Sequence, residues 1–173
     1  MNPDELIRLC RDCAGMVYGT RPPTGRYAES VARLLAGTAA AESLLKWRRQ
    51  MHFSDTNPEG AWGLWQTEKG AVADSVKYLR RRLDVQAAAL RFAPTAAPML
   101  AFTDELPRLH LIRDDDRVAC LFARLHYLRV SESVPEGLEE QARYWKRYYN
   151  TAGGKGTVPE YLAKYRRLVA PAL

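Results

Sequence analysis

Residues 27–50, YAESVARLLAGTAAAESLLKWRRQ, decide the fold of this 173-residue chain. Val31, Leu34, Leu35, Thr38, Ala41 and Leu45 recur at the 3.6-residue period of an α-helix, which predicts a helix over about Tyr27 to Gln50. Gly37 and the small set Ala39-Ala40-Ala41 allow a second helix or a backbone to approach it closely. One carboxyl, Glu42, stands near the end of this run among Leu35, Ala39, Ala40, Leu44 and Leu45. Such neighbours favour the neutral acid, because desolvation penalises the charged form.

Outward from that helix the pattern stays helical. Asn2-Pro3-Asp4-Glu5 is a start signal for a first helix reaching about Tyr18, broken by the turn residues Gly19 to Gly25. Ser54-Asp55-Thr56-Asn57-Pro58-Glu59-Gly60 is turn-forming, so residues 51–67 read as loop or short irregular strand. Helices are expected from about Lys69 to Leu83 and from Val85 to Phe92, with interruptions at Pro94 and Pro98, and a short one from Ala101 to Leu109 holding Pro107. Asp114-Asp115-Asp116 then caps a helix from Val118 to Val130, carboxylates being stabilised at the positive end of the helix dipole. Three successive Asp also admit a cation site, but no spaced oxygen-ligand loop follows them. Further helices are expected over about Glu136 to Tyr149 and Pro159 to Val169, separated by the glycine-rich stretch Asn150 to Thr157. No internal repeat or low-complexity tract interrupts this order. The expected fold class is mainly α, one domain over residues 1–173 with a central helix and a short β-like loop.

Length and a 47% hydrophobic content suit a single sizeable core. No apolar stretch approaches the roughly 20 residues of a membrane span, and the N-terminus lacks the basic and apolar regions of a signal peptide. Folding in a cytoplasm is the expectation. The net charge of +6 is spread evenly, 13 Lys and Arg against 10 Asp and Glu in residues 1–90 and again in 91–173. A diffuse positive field attracts nucleic acid, anionic lipid or an acidic bacterial wall alike. Cys10 and Cys13 have C-x-x-C spacing, which suggests metal or redox chemistry in some cytosolic proteins. Here they share an apolar stripe with Leu6 and Leu9, and no second such pair accompanies them, so small buried thiols are the preferred reading. No metal or organic cofactor is implied.

The chemistry-bearing residues cluster around Glu42. Cleavage of a glycosidic bond needs a carboxylic acid still protonated near neutral pH, and Glu42 has the surroundings for it. Glu68 is a candidate second carboxylate that holds the attacking water. Between them Gly60-Ala61-Trp62-Gly63-Leu64-Trp65-Gln66 offers Trp62 and Trp65 for stacking on sugar rings and Gln66 for an acetamido group. The opposing reading makes Trp62 and Leu64 core plugs and Glu42 an ion-pair partner of Lys46.

Glu42-Ser43 followed by Gly63-Leu64-Trp65-Gln66 resembles the Glu-Ser and Gly-Leu-Met-Gln motifs of soluble lytic transglycosylases and goose-type lysozymes, and Tyr149-Asn150-Thr151-Ala152-Gly153 resembles their Tyr-Asn-Ala-Gly motif. Together with Arg48-Arg49-Gln50 and Val118 to Leu125, the set is similar to small lysozyme-like proteins of tailed bacteriophages and spans about residues 40–155. The resemblance implies Glu42 as catalytic acid, Ser43 and Gln66 lining the site, Tyr149 and Asn150 beside the scissile sugar, and Glu68 as auxiliary acid. It implies bacterial peptidoglycan as substrate, a virion or host cytoplasm as location before release, and other virion proteins as further partners. The chain departs from the family at Trp65, which replaces the usual Met, in a longer segment after Glu42, and in the closing loop from Thr151 to Gly156. Two other function classes compete: a structural virion protein that keeps the scaffold without turnover, and a helical nucleic-acid-binding protein using Arg80-Arg81-Arg82 and Arg143/Lys146/Arg147. The even charge and the lack of a recognition motif argue against specific nucleic-acid binding.

Overall fold

The computed structural model describes residues 1–16, 25–50 and 52–173. The chain opens with α1 (Pro3–Ala14), whose first turn is closed by a capping box: the Glu5 amide donates to Asn2 Oδ1 at 2.9 Å and the Asn2 amide to Glu5 Oε2 at 3.1 Å. Leu6, Leu9, Cys10 and Cys13 form its buried stripe, as their spacing predicts. The helix stops at Ala14, with Gly15 as C-cap, rather than running to Tyr18; Tyr18 and the expected break over 19–24 lie outside the described residues. Both cysteines of the C-x-x-C pair are fully buried, and the Cys13 thiol donates to the Cys120 carbonyl at 3.8 Å. Burial pushes the Cys13 thiol well up, which makes it a packing residue rather than a nucleophile.

α1 lies along α2 (Gly25–Ser43), the helix that the opening stretch predicts. Gly37 is where α8 (Val158–Leu168) crosses it: a Cβ there would sit 2.0 Å from Tyr161 Oη, so only hydrogen fits between the two helices. Leu34, Leu35, Ala39 and Ala40 are completely buried along the same helix. Each leucine contributes roughly 1.5–3 kcal/mol by leaving water.

The expected end at Gln50 is wrong by a full two turns. α2 ends at Ser43, and Leu44 and Leu45 follow with φ of 54° and 60°, values that branched side chains rarely adopt. Ser43 supplies the local cause: its hydroxyl donates to Ala39 O at 3.0 Å and accepts from the Leu45 amide at 3.2 Å, closing the helix end with a side chain. The next residues are then drawn away by arginines. Arg48 pairs with Asp116 and donates to Arg113 O at 3.1 Å, while Arg49 donates to Ala61 O at 3.2 Å and Asn57 O at 2.8 Å. Apolar periodicity continued through Leu44 and Leu45, but these long-range bonds are absent from any periodicity.

The segment expected as loop or irregular strand holds a two-residue hairpin, β1 (Ala61–Trp62) antiparallel to β2 (Thr67–Glu68), with Trp62 opposite Thr67. Gly63 makes its turn at φ 70°, and a Cβ there would lie 2.5 Å from Ile112 O, so the turn is pressed against α5 (Glu105–Asp114). α3 (Lys69–Arg81) and α4 (Leu83–Phe92) lie where their patterns predict, and a 3₁₀ stretch over Pro94–Leu100 accommodates Pro94 and Pro98. α5 begins at Glu105 and reaches Asp114, later than the expected 101–109, because Pro107 is tolerated in its first turn but not in an interior.

α6 (Asp116–Leu128) is the central helix, with every residue from Val118 to Leu125 buried and contacts to α1, α2, α3, α4 and α5. Asp115 is its cap, accepting from the Arg117 amide at 2.8 Å and the Val118 amide at 3.2 Å, which assigns the acidic run to capping. α7 (Leu138–Trp145) is shorter than the expected 136–149, since the chain widens at Lys146–Asn150 into a π-helical turn. α8 closes the chain with a second capping box, Thr157 with Glu160. No helix among the described residues is long and apolar enough to cross a membrane.

Candidate active site

Glu42 occupies the last turn of α2, half-buried, one residue before the helix is closed by Ser43. Trp145 at the end of α7 donates its indole N–H to Glu42 Oε1 at 2.9 Å. The π turn explains why more of that helix can reach the same carboxyl. Residues five apart on an α-helix point about 140° apart, whereas a π turn brings i and i+5 to nearly one face. Asn150, at the end of that turn, also acts on Glu42 and favours its charged form. The Asn150 Oδ1 accepts from Lys146 Nζ at 2.7 Å, and the same ammonium reaches Gly154 O at 2.8 Å.

From α8, Lys164 donates to the Ala41 carbonyl at 2.6 Å, on the residue preceding Glu42, and adds positive charge beside it. Burial raises the Glu42 pKa above the ordinary carboxylate value, and the negative charge of Glu68 acts in the same direction. Trp145, Lys164 and Asn150 oppose that rise by favouring the charged form, and burial prevails. The resulting carboxyl holds its proton more tightly than an exposed glutamate, with donors placed to stabilise the anion once the proton leaves.

Glu68 is exposed at the end of β2, and its negative charge acts on Glu42 in the direction that raises the Glu42 pKa. Tyr149, in the π turn, donates to Trp65 O at 2.8 Å and lies 3.4 Å from Thr67 Oγ1. It thereby ties the hairpin to α7. Burial raises its pKa far above the usual phenol range, so it acts as a neutral hydrogen-bonding group. His126 supports it from α6, with ring centroids 4.8 Å apart and its Nε2 2.6 Å from Tyr148 O. Burial lowers the His126 pKa, which keeps that imidazole neutral and donating to the carbonyl.

Four expected site residues have other places. Ser43 is fully buried and occupied in closing α2, so it lines no groove. Trp62 and Trp65 are both 0% exposed. Trp65 donates to Leu35 O at 2.8 Å, and Trp62 lies beneath the Arg49 guanidinium, 3.9 Å from its ring centre. Neither ring offers a face to a sugar; the opposing reading of Trp62 and Leu64 as core plugs describes their geometry, and Trp65 is buried with them. Gln66, at φ 48°, donates to Trp47 O at 3.2 Å and Gly63 O at 2.9 Å and braces the loop rather than projecting an amide nitrogen outward. An ion pair between Glu42 and Lys46 does not form either, because Lys46 lies beyond the helix end and is exposed.

Comparison with protein families, curated proteins and solved structures returns no match. The site therefore rests on its own geometry. Sequence reading missed Trp145 and Lys164, the two side chains that most directly condition the acid. A signal for Trp145 exists in its place four residues before Tyr149, but Lys164, 122 positions from Glu42, carries none. Two clefts elsewhere, one lined by Asp4, Arg8 and Arg11 and one by Lys69, Glu105 and Arg108, do not include Glu42.

Proposed function

We propose that this chain cleaves bacterial peptidoglycan at the β-1,4 bond between N-acetylmuramic acid and N-acetylglucosamine, with Glu42 as general acid. The observation that carries the reading is the Glu42 carboxyl itself: half-buried, raised in pKa and held by the Trp145 indole, with Asn150 and a second carboxylate, Glu68, acting on it. A lysozyme-like arrangement, in which α2 delivers the acid beside a short hairpin, belongs to the same proposal. So does a bacteriophage origin, with the protein carried in a virion beside other virion proteins or kept in the host cytoplasm until release.

Glu42 protonates the glycosidic oxygen as the bond to the muramic acid carbon breaks. The indole and amide donors then stabilise the carboxylate that remains. Two continuations complete the reaction. Glu68 takes a proton from water that attacks the sugar, giving hydrolysis, or the sugar's own 6-hydroxyl attacks and passes its proton to the Glu42 carboxylate, giving a 1,6-anhydro product. Exposure of Glu68 to water favours the first.

Glu42→Gln should abolish clearing in a peptidoglycan zymogram, a loss on the order of 10²–10⁴ in rate, with an unchanged helical circular dichroism spectrum. Undiminished clearing by that variant removes Glu42 from the chemistry. Mass spectrometry of digested sacculi separates a reducing end from an anhydro ring. A second reading, a virion scaffold without turnover, is favoured by one observation, the closure of Trp62 and Trp65 into the core. Soluble muropeptides released from purified sacculi would exclude it.

A further inference from the structure

With Trp62, Trp65 and Trp145 at 0%, 0% and 2% exposure, Trp47 stands apart among the chain's four tryptophans at 52%. An exposed indole on a mobile segment would mean little, but this backbone is fixed on both sides. The Trp47 amide donates to Ser43 O at 3.1 Å, in the turn that closes α2, and its carbonyl accepts from Gln66 Nε2 at 3.2 Å. The next residue, Arg48, is anchored to Asp116 and to Arg113 O. The ring thus projects from a rigid stem one hydrogen-bonded turn beyond the residue after Glu42. A rigid aromatic loses little conformational entropy on binding, and its apolar face matches the C–H face of a pyranose ring.

We propose that Trp47 is the platform on which a sugar of the glycan strand stacks, so that it, rather than Trp62 or Trp65, positions the chain relative to Glu42. This rests on the proposed peptidoglycan-cleaving function. It also gives Gln66 a role: by holding Trp47 O, the loop glutamine fixes the platform against the hairpin. Lys46, exposed beside it, adds positive charge to the same edge, facing a wall polymer rich in carboxylates.

The test uses the full chain carrying Glu42→Gln, titrated with a soluble β-1,4-linked N-acetylglucosamine hexasaccharide and followed by tryptophan fluorescence. The red-edge emission of the exposed indole should shift to the blue on binding, and Trp47→Ala should remove that shift and weaken binding roughly thirtyfold, with Trp47→Phe recovering part of the affinity. The unmutated Trp47 signal gives the answer even where the alanine variant folds poorly. Equal affinity with and without Trp47, no spectral shift on saturation, or a dimer dispersed by Trp47→Ala would overturn the assignment. Saccharide binding through Trp47 in a protein that fails to clear sacculi would uphold the platform and defeat the proposed function. Clearing that is indifferent to Trp47→Ala, with equal saccharide affinity, would defeat the platform alone.

Discussion

The hairpin of residues 61–68 turns its tryptophans inward, whereas the π turn of residues 146–150 brings aromatic and amide side chains toward a carboxyl. Both segments are aromatic and polar in similar measure. The difference lies in what each backbone is anchored to. The hairpin is pulled down by Arg49 over Trp62, by Trp65 bonding α2, and by Gly63 pressed on Ile112, so its large rings have only the core to enter. The π turn adds one residue to a helical register just after Trp145, which donates to Glu42, and Asn150 at its end acts on the same carboxyl. Aromatic composition therefore says little about which ring meets a ligand; the anchoring of its backbone decides.

This contrast breaks most sharply at Trp65. If the hairpin tryptophans are core, Trp65→Ala should cost about 3–5 kcal/mol of unfolding free energy, measured by urea denaturation, because it leaves a large void and removes the indole's bond to the Leu35 carbonyl. A variant of near wild-type stability with selectively lost saccharide binding would instead return Trp65 to the groove. Trp145→Phe should sharpen the other side with a smaller stability loss, about 1–2 kcal/mol, since a six-membered ring stays in the core while part of the indole volume and one hydrogen bond are removed. Its diagnostic effect is on the pH profile of wall clearing. The indole favours the charged form of Glu42, so its removal should move the limb on which the acid loses its proton to higher pH. An unmoved limb would show that Trp145 does not condition the acid.

The smallest effect concerns stability at Glu42 itself. Its pKa is raised in the folded protein, so between the unfolded value of 4.5 and the folded value the native state keeps a proton that the unfolded chain has released. Stability must fall as pH rises through that window, and the penalty is absent below it. Glu42→Gln should therefore melt higher than the parent near pH 7 and converge with it in acid. A lower melting temperature for the glutamine variant at neutral pH would mean that the carboxylate is stabilising, contrary to a desolvated acid.

Much of the helical scaffold can be read along the chain because its causes are local. The Asn2 and Asp115 caps, the stripe of α1, and the apolar run of α2 all act within a turn or two of sequence. Boundaries set by distant partners fail to appear there. α2 is closed by the Ser43 hydroxyl while the apolar period continues, and the residues after it leave the helix because Arg48 and Arg49 find acceptors up to 68 residues away. The sequence alone determined the mainly helical class and the acidic cap of α6. Only the tertiary structure decided that Trp62 and Trp65 are interior, that Trp145 and Lys164 attend the acid, and that Trp47 is left outside. Propensity and periodicity are properties of neighbouring residues, but the burial of a ring or the solvation of a carboxyl depends on elements that meet only when the whole chain has folded.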